Sequence, residues 1–411
     1  MPNQEIILDL HEHNVMSTSP IKRIAEDLVS SLRFEYPVLT ITGPRQSGKT
    51  TLCQMAFGDL PYANLEAPDV RLQAESDPRA FLAEFPAGAV IDEFQRAPDL
   101  ASYIQTIVDE RSFQGTFVLT GSQNLSVRNT VSQSLAGRTA LVSLLPFSLT
   151  EVARRWPNLT MDQLLFRGFY PRIHDRNLNP AQALSDYTGT YVERDLRQLS
   201  TVQNLSLFQK FMGLCAGRIG QLLNLESLGN DTGISQSTAR EWLSLLEASY
   251  IAFRLPPFFA NIGKRLVKTP KLYFYDVGLA AHLLGITDVS QVIRHPLRGM
   301  LFENLVVLEV MKYFLNQGPR RDLWFYRDSN GNEVDLLISS GEKMMPVEIK
   351  AAGTIANDFF KGLRRIAEAV SNVRDPVLVY GGEREFMRLG TRVTYPSALT
   401  SLLEDLVPIR G

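Results

Sequence analysis

The apolar run Val38 to Thr42 opens directly into Gly43-Pro44-Arg45-Gln46-Ser47-Gly48-Lys49-Thr50, and a helical stretch beginning with Thr51 follows. This octapeptide satisfies G-x-x-x-x-G-K-[ST], a pattern with a mechanical reason. Its glycines let the backbone fold into a nest of N–H donors, and the start of the next helix favours an anion. Gly43 to Thr51 are thus the expected phosphate cradle: Lys49 neutralises phosphate oxygens and the Thr50 hydroxyl holds Mg²⁺. A strand before the loop and a helix after it demand a sheet whose strands end along one edge.

Further apolar runs supply that sheet: PYANL (Pro61 to Leu65), AVID (Ala89 to Asp92), TFVLT (Thr116 to Thr120) and ALVSL (Ala140 to Leu144) alternate with helical stretches. Continuous apolar strands spaced by helices are what a parallel sheet covered on both faces requires, so this region is expected to be a doubly wound α/β domain. AVID ends in Asp92, expected to hold Mg²⁺ through water, and is followed by Glu93, expected to act as general base on the attacking water. TFVLT leads into Ser122, the candidate sensor of the γ-phosphate, with Gln123 as second choice. Arg138 is a candidate for transition-state charge, in cis or in a neighbouring subunit, against a plain surface ion pair.

The 411 residues favour two to four folded units. With 45% hydrophobic and 21% charged residues the composition is that of a globular protein, which excludes collagen-like and wholly disordered chains. The 42 Lys and Arg against 44 Asp and Glu leave a net charge of −2, so any polyanion site must come from local clustering. Cys53 and Cys215 are the two cysteines, expected as buried apolar side chains. The start of the chain does not read as a signal peptide, and no apolar run approaches the ~20 residues of a membrane span. A cytoplasmic location with no membrane partner is the expectation.

GPRQSGKTTL, YANLE, AVIDEFQRAPDL, VLTGSQ, SLAGRT, LLPFSLTE, the GFYP turn and YVERDL together resemble the bacterial and archaeal AAA-type ATPases that carry a C-terminal domain of uncharacterised function. The resemblance runs from about residue 20 to 400. It implies an ATP-binding protein with a winged-helix middle and a nuclease-like end, and no established substrate.

Three regions are expected: 1–155 the ATPase domain, 156–290 a helical and winged-helix domain, and 291–411 a nuclease-like α/β domain. In the middle, Leu207 to Leu223, Leu225 to Asn230 and Ser237 to Ala248 give a helix-turn-helix cadence, with Ser235 or Ser237 as cap of the last helix. YIAFRL and KLYFYD fit the two strands of a wing. Between residues 205 and 275, eight basic side chains (Lys210, Arg218, Arg240, Arg254, Lys264, Arg265, Lys268, Lys271) meet four acids (Glu226, Asp231, Glu241, Glu247), a local balance of +4. That supports a DNA contact in which the Ser237 helix enters the major groove while Lys264, Arg265 and Lys268 meet phosphates. A protein-docking module is the competing reading. The charge run Glu193-Arg194-Asp195 reads as a solvated helix face.

In the last region a helix, Leu301 to Leu315, carries Glu303; Asp335 lies in EVDLLIS, and Glu348 with Lys350 in MPVEIKA. Strand alternation puts Glu348 and Lys350 on one face. If the two strands pair as a hairpin, Asp335 and Glu348 approach one point, where with Glu303 they would bind a second Mg²⁺ and Lys350 would activate water. The spacing D-x₁₂-E-x-K resembles the PD-(D/E)xK core of restriction-endonuclease-like folds, though Val334 stands where that motif has proline.

The expectation is therefore a Mg²⁺-dependent ATPase that couples nucleotide state to a winged-helix and nuclease-like module on DNA. The second reading is a nucleotide-dependent protein-docking switch with an inactive nuclease-like domain. A homo-oligomer is compatible with either.

Overall fold

The protein is described from a computed structural model covering residues 20–110, 117–122, 134–192, 204–258, 268–318 and 321–407. Five parallel strands form the first sheet: β1 (Val38–Thr42), β2 (Tyr62–Asn64), β3 (Ala89–Asp92), β4 (Phe117–Gly121) and β5 (Thr139–Ser143), in the order β2-β3-β4-β1-β5. The chain leaves β1 for the far edge, returns through β3 and β4, and crosses β1 to place β5. All five carboxyl ends therefore share one edge, where the loop after β1 and the acid ending β3 meet.

Strand alternation separates two apolar layers. Leu39, Ile41, Val90 and Val118 pack with Ala25, Val29, Leu52 and Cys53, whereas Val38, Ile91 and Leu119 pack with Leu100, Ile104 and Val108 from the helix Leu100–Glu110. A sheet covered on both faces explains why its strands read as unbroken apolar runs.

The middle holds helices Leu205–Ala216, Leu225–Thr232 and Gln236–Ala248, then an antiparallel pair, β6 (Ala252–Leu255) and β7 (Lys271–Phe274). Ser235 caps the third helix through the N–H of Thr238. The first helix stops seven residues short of the expected Leu223 for a specific reason. Gly220, with φ +71°, turns the chain so that its N–H donates to the Leu272 carbonyl and Leu222 bridges to Lys271. Segment 217–223 serves as a third short partner of the β6–β7 ribbon instead of a helical turn.

The last unit is a six-stranded mixed sheet: β8 (Leu323–Arg327), β9 (Glu333–Ser340), β10 (Lys343–Lys350), β11 (Val377–Tyr380), β12 (Phe386–Arg388) and β13 (Thr391–Thr394), ordered β12-β13-β11-β10-β9-β8. β8, β9 and β10 form an antiparallel meander, and helix Lys361–Ala369 crosses over so that β11 runs parallel to β10.

Helix Arg298–Gln317 joins the units. It is buried on nearly all sides, and one apolar core runs from Leu145 and Phe169 through the middle helices to Val377 and Val407. Its polar residues serve as fasteners. Asn304 donates to and accepts from the backbone of Phe274, and Lys312 donates to the Phe147 carbonyl at 2.7 Å and pairs with Glu309 at 2.9 Å. Glu309 in turn accepts from the Leu149 N–H.

Candidate functional site

The loop after β1 places its groups as a phosphate cradle requires. Gly43 lies so close to the Leu144 carbonyl that any Cβ there would collide with it. Gly48 takes the left-handed conformation (φ +91°) and starts the helix Lys49–Ala56, leaving its first N–H groups toward a cavity of about 520 Å³. Arg45, Gln46, Gly48, Lys49, Thr50, Thr51 and Glu93 line that cavity together with Pro171, Arg172, Asp175 and Arg176. The Ser47 hydroxyl is buried with no partner among the described residues.

Lys49 is buried, its ammonium on the carbonyls of Gly43 and Pro44 at 3.0 and 2.9 Å. Burial pushes its pKa down to about 8, with Glu93 and Asp92 acting in the opposite sense. Thr50 Oγ1 donates to Asp92 Oδ2 at 2.8 Å, which brings together the hydroxyl and the carboxylate expected to hold Mg²⁺. Burial works against an ionised Asp92, but hydroxyls of Thr120, Tyr62 and Thr50 and the Glu93 N–H outweigh it and hold its pKa below the usual range. Glu93 moves the other way: burial raises its pKa, while Arg45 and Lys49 oppose the rise. Two neighbouring carboxylates thus sit in environments that push their pKa values in opposite directions, Asp92 down and Glu93 up.

Glu93 sits in the left-handed region (φ +55°), which is uncommon without glycine and marks a residue held by its surroundings. Gln95 holds it, donating to Glu93 Oε2 at 2.5 Å and reaching the buried Ser122 Oγ at 3.4 Å. Ser122 is therefore linked to the general-base candidate through Gln95, whereas Gln123 lies outside the described residues.

Arg138 does not line the cavity; its guanidinium forks onto Asp109 at 2.6 and 2.8 Å, the surface ion pair that was its competing reading. Cations that the sequence did not single out face the cavity instead. Arg172 lies within the short helix Pro171–Asp175, which starts on the proline of the GFYP turn, and Arg176 caps its C-terminus; among the described residues neither has an ion-pair partner. Arg23 is the other unforeseen group. Buried over the Phe147 ring, it donates to the Ser47 carbonyl (2.6 Å), the Leu145 carbonyl (2.7 Å) and Glu151 (2.9 Å).

In the C-terminal unit β9 and β10 pair as the expected hairpin, with Leu336 opposite Val347, so Asp335 is level with Glu348. Glu303, Asp335, Glu348 and Lys350 do come together. Asp335 Oδ2 accepts from the Ile349 N–H at 2.8 Å and from Lys350 at 3.3 Å, and Lys350 reaches Glu348 at 2.7 Å. Lys271 enters the same cluster from β7, between Glu303 and Glu333. Among the described residues no group of three or more His, Cys, Asp or Glu is arranged to hold a metal ion.

The basic window of the middle is partly neutralised. Arg218 pairs with Asp231, Arg254 with Glu247, and Lys271 is buried among acids, while Arg240 and Lys268 are exposed. Lys264, Arg265 and the run Glu193 to Asp195 lie outside the described residues. Among the described residues no helix is long and apolar enough to cross a membrane.

The cradle, the Thr50–Asp92 contact and the covered parallel sheet define a P-loop nucleotide-binding domain of the AAA class, and residues 35–153 match the family described as AAA domain. Residues 158–290 and 298–399 match two domains of unknown function, DUF8612 and DUF4143. The chain is 32% identical over 364 residues to uncharacterized protein Rv2008c of Mycobacterium tuberculosis, covering 88% of this chain and 80% of that protein. Uncharacterized protein Mb2031c of Mycobacterium bovis matches with the same identity and coverage. The chain belongs to the family of these mycobacterial proteins. Among solved structures, the Walker-type ATPase PABY2304 of Pyrococcus abyssi aligns at 14% identity and a TM-score of 0.42, over 64% of this chain and 96% of that one.

Proposed function

We propose that this protein is a Mg²⁺-dependent ATPase whose nucleotide state is transmitted to its helical middle and C-terminal sheet. The observation that carries the reading is the contact of Thr50 with Asp92 beside a Gln95-held Glu93, at a cavity also lined by Arg172 and Arg176. The fit to a nucleotide rests on the Gly43 cradle and the orphaned Ser47 hydroxyl. ATP with Mg²⁺, when bound, supplies the phosphoryl group that is transferred to water. Around it Lys49 and the N–H groups of the loop neutralise phosphate oxygens, and Thr50 and Asp92 hold the metal. Glu93 takes a proton from water, and Ser122 senses the terminal phosphate. Phosphate release tests this: Lys49→Ala and Glu93→Gln abolish turnover, and Glu93→Gln still binds ATP. Normal release from both would refute the assignment.

The output side has two readings. The three middle helices with their ribbon read as a winged helix, and the helix-led β8–β9–β10 meander with its crossover to β11 reads as a nuclease-like fold, which together suit cytoplasmic work on DNA. Neutralisation of Arg218, Arg254 and Lys271 favours the second reading, a switch that docks a protein partner or a second copy and cuts nothing. A gel shift distinguishes them. DNA binding that weakens steeply with salt supports the first, and none at low salt supports the second.

A further inference from the structure

The C-terminal carboxylates carry the spacing of a metal-dependent nuclease, yet their centre is already filled. Lys271 Nζ lies 2.6 Å from Glu333 Oε1, 3.0 Å from Glu303 Oε1 and 3.7 Å from Asp335 Oδ1. The Tyr273 hydroxyl also donates to Glu303, Lys350 sits on Asp335 and Glu348, and Arg327 pairs with Glu333 at 3.0 Å. Most of the oxygens that would have to face a divalent ion are thus engaged by protein cations and donors; Glu348 Oε2 is buried with no partner among the described residues.

We propose that Lys271 is the resident cation of this cluster, an ammonium supplied by the middle ribbon that takes the place of a divalent metal and fastens β7 to the C-terminal sheet.

Three observations support the substitution. Lys271 is only 2% exposed, and a buried ammonium is tolerated where carboxylates surround it. Its own strand cannot easily withdraw it. Lys271 bridges to Leu222, the next residue Leu272 exchanges backbone hydrogen bonds with Gly220 and Gln221, and Asn304 clamps Phe274 from both sides. Mg²⁺ needs oxygens at about 2.0–2.1 Å in octahedral array, whereas Lys271 already takes Glu303 Oε1 at 3.0 Å and lies 3.7 Å from Asp335 Oδ1, adding positive charge where a divalent ion would sit. Four carboxylates (Glu303, Glu333, Asp335, Glu348) face three cations (Lys271, Lys350, Arg327), so one fixed charge supplied by the chain does much of the neutralising a metal would do. The C-terminal unit is then a fastened module rather than a metal-dependent nuclease, independently of what the P-loop hydrolyses.

The test is Mn²⁺ binding to the full-length, nucleotide-free protein, followed by electron paramagnetic resonance. Wild type and Asp335→Asn are expected to bind the same number of Mn²⁺ ions. Lys271→Met is expected to gain one Mn²⁺ per chain, and the added Asp335→Asn substitution to remove it again. A Mn²⁺ ion held by wild type and lost in Asp335→Asn would overturn the proposal, and that comparison stands even if Lys271→Met fails to fold. A folded Lys271→Met that gains no Mn²⁺ would overturn it equally.

Discussion

Arg23 Nη1 donates to the carbonyl of Ser47, at 2.6 Å, and so grips the phosphate-binding loop from behind. The same guanidinium pairs with Glu151, which burial would tend to neutralise but which Arg23 and the N–H groups of Ser148 and Ile24 hold below the ordinary carboxylate pKa. The loop is therefore braced by a buried ion pair, whose loss on one side leaves a charge stranded.

Arg23→Met is expected to destabilise the protein by about 3–5 kcal/mol, because a buried carboxylate loses its counter-charge. Denaturant unfolding measures this. Glu151 also sets a sign with pH. Its depressed folded pKa contributes stability above its unfolded value of about 4.3, and this is lost as pH falls through that value and then through the folded one. Glu151→Gln should flatten that part of the acid limb; an unchanged limb would assign it to other carboxylates.

Nucleotide affinity should depend on pH through Lys49. With the free-state pKa near 8, the ammonium is largely neutral at pH 9.5, and a phosphate favours its charged form. Binding then takes up a proton above pH 8, and affinity falls by up to about tenfold per pH unit beyond that point. Titrations between pH 7 and 9.5 read this directly. Lys49→Arg, which does not titrate in that range, should bind with a flat profile, and an equally flat wild type would contradict the linkage.

Gly168 opens the GFYP turn at φ +66°, and a Cβ there would run into the carboxylate of Asp276, which caps the helix Val277–Leu283 and also accepts from the Phe169 N–H. Gly168→Ala is expected to lower stability by at least about 1 kcal/mol more than Gly285→Ala. Gly285 has a similar left-handed backbone (φ +80°) with open space around it, so the difference between the two isolates the collision. Equal urea midpoints would mean that Asp276 yields.

The parts legible in the sequence are those whose cause is local. β1 and β3 fall on the apolar runs read for them because a strand covered on both faces needs continuous hydrophobicity, and the Gly43–Thr50 loop is legible because its chemistry is contiguous. Arg23 was invisible for the opposite reason. Its partner Glu151 is 128 positions away, and a buried arginine is spelled no differently from an exposed one. The same holds for Lys271, counted as part of a basic surface window although its charge is turned inward onto acids from two other elements. Helical periodicity through Leu223 was overridden by backbone pairing to β7, a contact with no trace in local pattern.

The arginines at the cavity give the last expectation. Arg138 is tied to Asp109, while Arg172 and Arg176 line the same cavity as Lys49 and Glu93. Positive charge near the transferred phosphoryl group is commonly worth several orders of magnitude in rate. Alanine at Arg172 or at Arg176 is therefore expected to slow phosphate release by at least about tenfold at saturating ATP. Arg138→Ala should leave turnover unchanged if its role is the surface pair. Should Arg138→Ala abolish turnover instead, with partial activity regained by mixing it with Glu93→Gln protein, the charge must come from a neighbouring subunit. The cavity arginines would then serve in binding alone.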